Sequence, residues 1–234
     1  MVSKAAITVA IDGPAGAGKS TVSKLLALRL GLALVDTGAM YRSVALVAHK
    51  RGIALEHEEL LCDITASLDL RFAFDGEKNR VFVNGEDVSG DIRTGEISES
   101  ASIISSYAGV RSNLLDLQRR MAQQMPGAVL EGRDIGTVVL PNATVKFFLT
   151  AGIETRARRR FNELVAKGES PNFEELLAAE TQRDRRDTER ATAPLRQADD
   201  AILVDSTSLS TEDVVELMLQ MIRDNVSKDY GCSC

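Results

Sequence analysis

The chain has 234 residues, 44% of them apolar, enough to bury a substantial core as one large domain or as a core with inserted subdomains. Its 34 acidic and 28 basic side chains leave a net charge of −6, which argues against a nucleic-acid-coating surface, and no apolar run reaches the ~20 residues of a membrane span. Three cysteines, Cys62, Cys232 and Cys234, and two histidines offer neither a disulfide framework nor the spacing of a structural zinc site, so a reducing cytoplasm is the expected setting.

Lys4 precedes an apolar segment from Ala5 to Ile11, which is too short for an export signal and lacks a small-residue cleavage site; it reads as the first core strand. It runs into Gly13-Pro14-Ala15-Gly16-Ala17-Gly18-Lys19-Ser20-Thr21, the Gly-x-x-x-x-Gly-Lys-Ser spacing of a phosphate-cradling loop between a strand and a helix. The glycines let successive backbone N–H groups turn toward an anion. Lys19 adds a point charge, Ser20 offers a hydroxyl for Mg²⁺, and the following helix brings its positive end to the same place. In that helix Val22, Leu25, Leu26 and Leu30 share a face, and Gly31 is placed to stop it.

Leu32 to Val35 reads as a second buried strand. Asp36-Thr37-Gly38-Ala39-Met40-Tyr41-Arg42 then predicts a strand end, a turn and a helix running to about Arg51, with Tyr41 and Arg42 at the sheet edge where open α/β folds bind ligands. His49 and His57 read as surface residues, and residues 56–67 as helical. Leu68, Leu70, Phe72 and Phe74 alternate with polar positions, and a second alternating run spans Arg80 to Val83. Asp75-Gly76 and Asn84-Gly85 flank that run, so residues 68–92 predict a small antiparallel meander inserted into the βαβ rhythm.

From Gly95 to Gln124 the pattern is that of a helix, in which Ser102 and Arg111 read, on their own, as ordinary solvent-facing residues. Ala128 to Glu131 predicts a core strand ending in Glu131-Gly132-Arg133-Asp134-Ile135-Gly136-Thr137, where two acids and an arginine around two glycines point to function. Val145 to Leu149 predicts a central parallel strand. The next helix carries Arg156 and Arg160 on one face, with Arg158 and Arg159 read as solvated. After a linker at 168–171, a helix from Phe173 projects Arg183, Asp187 and Arg190 from one side, with Arg186 adjacent. Two arginine-rich helices suggest a lid over polyphosphate, since the guanidinium fork bonds phosphate oxygens bidentately. Ala201 to Val204 supplies a last strand, Ser210-x-x-Asp213 caps a last helix, and 227–234 is expected to be a disordered tail.

These elements predict an α/β, three-layer P-loop core with a five-stranded parallel sheet, an inserted domain with a small antiparallel sheet, and an arginine-rich helical lid. Phosphoryl transfer is the chemistry they suit, because it asks the protein for positioning and charge rather than covalent work. A regulatory GTPase is disfavoured: no Asn-Lys-x-Asp motif exists, and the Asp-x-x-Gly at Asp87 to Gly90 falls in the meander. On residues alone, a kinase for another small molecule and a nucleotide-binding module without catalysis stay open, the intact Lys19 and arginine set counting against the second.

The segments Gly13 to Thr21, Asp36 to Arg42, Gly85-Glu-Asp-Val-Ser, Glu131-Gly-Arg-Asp-Ile-Gly-Thr-Val-Val, and Arg183-Asp-Arg-Arg-Asp followed by Ala193-Pro-Leu resemble bacterial-type cytidylate kinases over residues 5–225. The resemblance implies a cytoplasmic monomer converting ATP and CMP or dCMP to ADP and CDP or dCDP with Mg²⁺, acting on neither nucleic acid nor membrane. It implies a core of 1–36, 126–152 and 192–226, a monophosphate-binding domain of 37–125, and lid helices at 153–191. It further implies Thr37, Ser102, Arg111 and Asp134 around the cytidine, with Tyr41 on the substrate side. Arg42, Arg133 and Arg190 would hold the monophosphate, Arg183 and Asp187 would lie near the sugar, and Lys19, Arg156, Arg160, Arg186 and Arg190 would stabilise the moving phosphoryl group. Glu131 would reach Mg²⁺ through water. Thr37 stands where a serine is often seen in the motif.

Overall fold

The computed structural model describes residues 7–74, 79–123 and 126–229. Five parallel strands form the central sheet: β1 (Ile7–Asp12), β2 (Ala33–Asp36), β6 (Gly127–Gly132), β7 (Val145–Thr150) and β8 (Ile202–Asp205), in the spatial order β2-β6-β1-β7-β8. A three-stranded antiparallel sheet of β3 (Leu70–Phe74), β4 (Asn79–Val83) and β5 (Glu86–Asp87) is the meander. Its Asn84-Gly85 turn has positive φ at both residues, 51° and 86°, the geometry that an Asn-Gly hairpin favours. The Asp75-Gly76 turn lies outside the described residues.

The strands sort their side chains with the period of two that a pleated backbone imposes. Val9 and Ile11 of β1 face a cluster with Phe147 and Leu149, closed by α1 (Lys19–Leu30) and α8 (Thr211–Asp229). Ala10 faces the other way, with Leu130, onto a cluster that takes in α2 (Thr37–Lys50), α3 (Glu58–Ser67), α4 (Gly95–Ile104), α5 (Ala108–Ala122) and the inner residues of the meander. The result is helix, sheet, helix, with α6 (Ile153–Ala166) and α7 (Phe173–Glu189) packed against each other beyond the C-terminal edge of β7.

Helix ends follow local chemistry. Gly31 at φ 64° closes α1, Asn172 caps α7, and Ser210 and Asp213 bond reciprocally at the start of α8. No separate turn precedes α2: the Asp36 carboxylate accepts from the Ala39 amide, so strand passes directly into helix. The continuous helix expected over 95–124 is two helices. The chain breaks at Ser105–Tyr107, where the Ser105 carbonyl accepts from the Arg111 guanidinium. The expected tail at 227–234 also begins too early, since α8 continues through Asp229; residues 230–234 lie outside the described residues.

Leu26 is fully buried in the cluster joining α1 and α8 to the sheet. Leu26→Ala is expected to lower unfolding free energy by about 2–5 kcal/mol, read as a shifted midpoint with unchanged slope in urea denaturation followed by circular dichroism.

Candidate active site

The C-terminal ends of β1, β2 and β6 open on a cleft of about 1050 Å³, lined on one side by the phosphate loop and on the other by α2, α4 and the segment after β6. Gly13 at φ 148° passes so close to β7 that an added Cβ would lie 1.9 Å from the Leu149 carbonyl oxygen, so no side chain fits there. Gly16 at φ 71° packs on α6, where a Cβ would meet that of Arg156 at 3.0 Å. The first turn of α1 has no acidic residue, and unlike α2, α4 and α7 the helix has no side-chain cap. Its leading amides are available to an anion. Lys19 is buried with its Nζ donating to the carbonyls of Gly13 at 2.8 Å and Pro14 at 2.6 Å. Burial, with the charge of Arg133 nearby, lowers its pKa.

Ser20 donates to Glu131 Oε2 at 2.9 Å across the mouth of this loop. Burial and the neighbouring Asp36 raise the Glu131 pKa, so its ionised form lacks compensation that a cation would supply. Hydroxyl and carboxylate oxygens suit a hard divalent ion. Among the described residues no group of three or more His, Cys, Asp or Glu side chains is placed to hold a metal ion.

On the far side of the cleft, Arg111 and Asp134 form a buried ion pair, with Arg111 lying 5.6 Å over the Tyr41 ring. Ser102 is buried and its hydroxyl has no hydrogen-bond partner, contrary to the solvent-facing reading that the pattern gives to both Ser102 and Arg111. Thr37 donates its hydroxyl to the Glu131 carbonyl at 2.7 Å, pinning α2 to β6. Arg42 pairs with Asp36 at 2.8 Å, Arg133 with Asp187 at 2.8 Å, and Arg190 lies 3.7 Å from Asp134. Arg190 also donates to Ser105 and to the Ala193 carbonyl, which a left-handed backbone at Ala193, φ 48°, presents to it. Among the described residues no carboxylate lies within ion-pair distance of Arg183, whose pKa is lowered by burial and then by repulsion from Arg133, against partial attraction from Asp187 and Glu180. A guanidinium in that position is an electrostatic vacancy for an anion.

The two arginine-bearing helices divide the expected set. Arg160 lines the cleft beside Glu163. Arg156 does not: its guanidinium is buried against the Ala15 and Ala151 carbonyls and paired with Asp184, so it fastens α6 to the phosphate loop and to α7. Arg186 pairs with Glu99 at 2.6 Å, joining α7 to α4. Arg159, expected to be solvated, donates instead to Ser206 and approaches Gly16, and Arg158 stacks 3.9 Å over the Phe173 ring. Sequence reasoning also missed the wall at Ser206 to Val214 beside the phosphate loop, and Asp12, whose carboxylate reaches the segment after β6. For Asp12 the signal was present: a carboxylate ending an otherwise apolar buried strand.

A family model, cytidylate kinase, matches residues 9–224. A cytidylate kinase of Geobacter sp. strain M21 is 53% identical over 222 residues, 95% of each chain, and one of Leuconostoc mesenteroides is 47% identical over 219 residues, 94% of this chain and 97% of that one. Among solved structures, a gluconokinase from Sinorhizobium meliloti 1021 superposes with a TM-score of 0.51 at 13% identity, covering 99% of this chain and all of that one, a likeness of fold alone.

Burial alone would raise the Asp187 pKa, but Arg133, Arg183 and Arg190 outweigh it and hold the carboxyl below its ordinary 3.8. A depressed folded-state pKa stabilises the fold above the unfolded value, and that contribution is lost as pH falls through the folded one. The stability difference between wild type and Asp187→Asn, measured by urea denaturation, is therefore expected to be largest at neutral pH and to narrow as pH drops below 3.8. A difference independent of pH would show that the charge of Asp187 contributes nothing.

Proposed function

The chain belongs to the cytidylate kinase family, and from that premise we propose that it transfers the γ-phosphoryl group of ATP to CMP and dCMP, releasing ADP with CDP or dCDP. The observation that carries the reading is the joining, in one cleft, of an amide-lined phosphate loop with the buried Arg111–Asp134 pair. Cytosine offers acceptors at O2 and N3 and a donor at N4. Arg111 commits two of its five donors to Ser105 and Asp134, leaving N–H groups for the acceptors, while Asp134 accepts from N4. Uracil presents O4 and N3–H, which reverse both contacts. Hydrogen bonds to charged groups are worth about 1.5–3 kcal/mol each, so each mismatched contact disfavours UMP by roughly ten- to a hundredfold.

In the proposed reaction, an oxygen of the CMP phosphate bonds to the ATP γ-phosphorus as the bond to the β,γ-bridging oxygen breaks, and ADP leaves with that electron pair. The protein's work is to align the two oxygens and to offset charge on the group in flight. Residues 13–21 hold the ATP phosphates, with Lys19 turning from the Gly13 and Pro14 carbonyls toward the β and γ oxygens, and the Ser206 to Val214 wall bounds the nucleoside end. Arg42, Arg133 and Arg190 receive the CMP phosphate. Each already faces an acceptor inside the fold, so the phosphate replaces existing contacts. Arg183 and Asp187 border the sugar, the buried and only partly compensated charge of Arg183 favouring entry of the anionic nucleotide. Arg160 flanks the transfer; Arg156 and Arg186 act on it only after exchanging Asp184 and Glu99 for phosphate. Ser20, and Glu131 through water, would hold Mg²⁺, which would supply positive charge to the ATP phosphates.

We assign residues 1–36, 126–152 and 192–226 to the core, 37–125 to the monophosphate-binding part and 153–191 to the lid. A single chain acting in the cytoplasm is the setting that we propose. No helix among the described residues is long and apolar enough to cross a membrane.

With Mg·ATP and equal concentrations of CMP, dCMP, UMP, AMP and GMP, ADP formation is expected to be strongly favoured by CMP and dCMP. Turnover with another monophosphate alone would discard the base-site reading, and no turnover with any of the five would discard the reaction. Asp134→Asn is expected to lower kcat/KM for CMP by about ten- to a hundredfold while leaving KM for ATP within about threefold. Unchanged CMP kinetics would remove Asp134 from the base site.

A further inference from the structure

Asp12 has no role in the reaction as described, yet both of its oxygens are committed. Only 4% exposed at the end of β1, its carboxylate accepts from the backbone N–H of Ile135 and of Gly136, each at 2.7 Å. These residues open a wide helical turn at Ile135–Val139, whose own bonds run from Val138 and Val139 to the Asp134 carbonyl and from Leu140 to that of Ile135. Its leading amides therefore have no partner within the turn, and a carboxylate from another strand supplies it. Arg119 grips the opposite end through the Val138 and Val139 carbonyls, both at 3.0 Å.

The placement matters because of what stands on either side. Asp12 immediately precedes Gly13, whose position is fixed by its approach to β7. Ile135 immediately follows Arg133 and Asp134. The β1–β6 ladder ends with Asp12 opposite Gly132, so beyond Gly132 no strand pairing holds the second segment to the first. Gly136 leaves little slack: an added Cβ would lie 3.4 Å from Asp12 Oδ2 and 3.1 Å from the Lys146 side chain.

We propose that Asp12 is a positioning residue for acceptor selection, its carboxylate holding the segment that carries Arg133 and Asp134 in fixed register with the phosphate loop. The inference rests on the CMP kinase reading above. It makes base discrimination depend on a side chain that touches neither nucleotide.

The test compares kcat/KM for CMP and for UMP in wild type and Asp12→Asn. Asparagine keeps the size but turns one acceptor into an NH₂ group facing an N–H. The CMP-to-UMP ratio is expected to fall by about tenfold, through a higher KM for CMP, with KM for ATP within about threefold and a cooperative melt retained. A purely structural role would lower stability and leave the ratio unchanged, and that result overturns the proposal. If Asp12→Asn does not fold, Gly136→Ala carries the test, since it retains the carboxylate while the added Cβ, 3.1 Å from the Lys146 side chain, presses the segment away from its place. It is expected to lower the ratio by about threefold, and an unchanged ratio is again a refutation. Absence of CMP preference in wild type would overturn the family-based reading itself, whereas wild-type preference preserved in the variant overturns only the role of Asp12.

Discussion

The register of three parallel strands sets where every functional segment begins. Asp12 lies opposite Gly132 and Asp36 opposite Glu131, so β1, β2 and β6 end at one level and release their chains from a common edge. Parallel strands impose this, because each crossover helix returns the chain to the same starting side. The phosphate loop, the start of α2 and the Arg133–Asp134 segment are neighbours through that alignment, although more than a hundred residues separate the first from the last. A slip of one residue in β6 would turn Glu131 away from Ser20 and reverse which of its side chains face each layer.

Within that frame the electrostatics are those of charges kept in reserve. Burying guanidinium groups costs several kcal/mol apiece unless they are matched, and the cleft matches them internally: Arg42 with Asp36, Arg133 with Asp187, Arg111 with Asp134. Arg183 is the exception. A site of unopposed arginines would destabilise the empty protein, whereas a fully neutralised one would attract no anion. The arginines of the cleft thus sit close to their neutralising carboxylates within a chain of net charge −6.

The core was legible because its signals are local and redundant. The apolar strand before Gly13, the glycine spacing and the stripe on α1 each point to the same element, and Gly31 and Ser210 mark helix ends by chemistry that needs no tertiary partner. The division of 95–122 into α4 and α5 was not legible, since Ser105 to Tyr107 is no strong breaker; the bond from Arg111 to the Ser105 carbonyl stabilises the break from within the tertiary structure. The arginine helices show the same limit. Spacing sets Arg156 and Arg160 one turn apart on α6, but which guanidinium meets solvent, cleft or carboxylate depends on Asp184, Ala15 and Ser206, all distant in sequence. Ser102 and Arg111 were invisible as pattern and entered only through family resemblance.

The contact between Arg186 and Glu99 bears on how ligands come and go. It spans from α7 to α4, and both side chains retain solvent exposure, 26% and 53%. Partly exposed ion pairs of this kind contribute roughly 0–1 kcal/mol, comparable to thermal energy. The two helices are thus joined by a clasp that solvent and dissolved salt loosen readily, unlike the buried Arg156–Asp184 fastening beside it. The Glu99 contact is therefore the one on α7 that yields most easily, while Asp184, Asp187 and Arg190 keep the same helix tied to α6, to the segment after β6 and to Ser105.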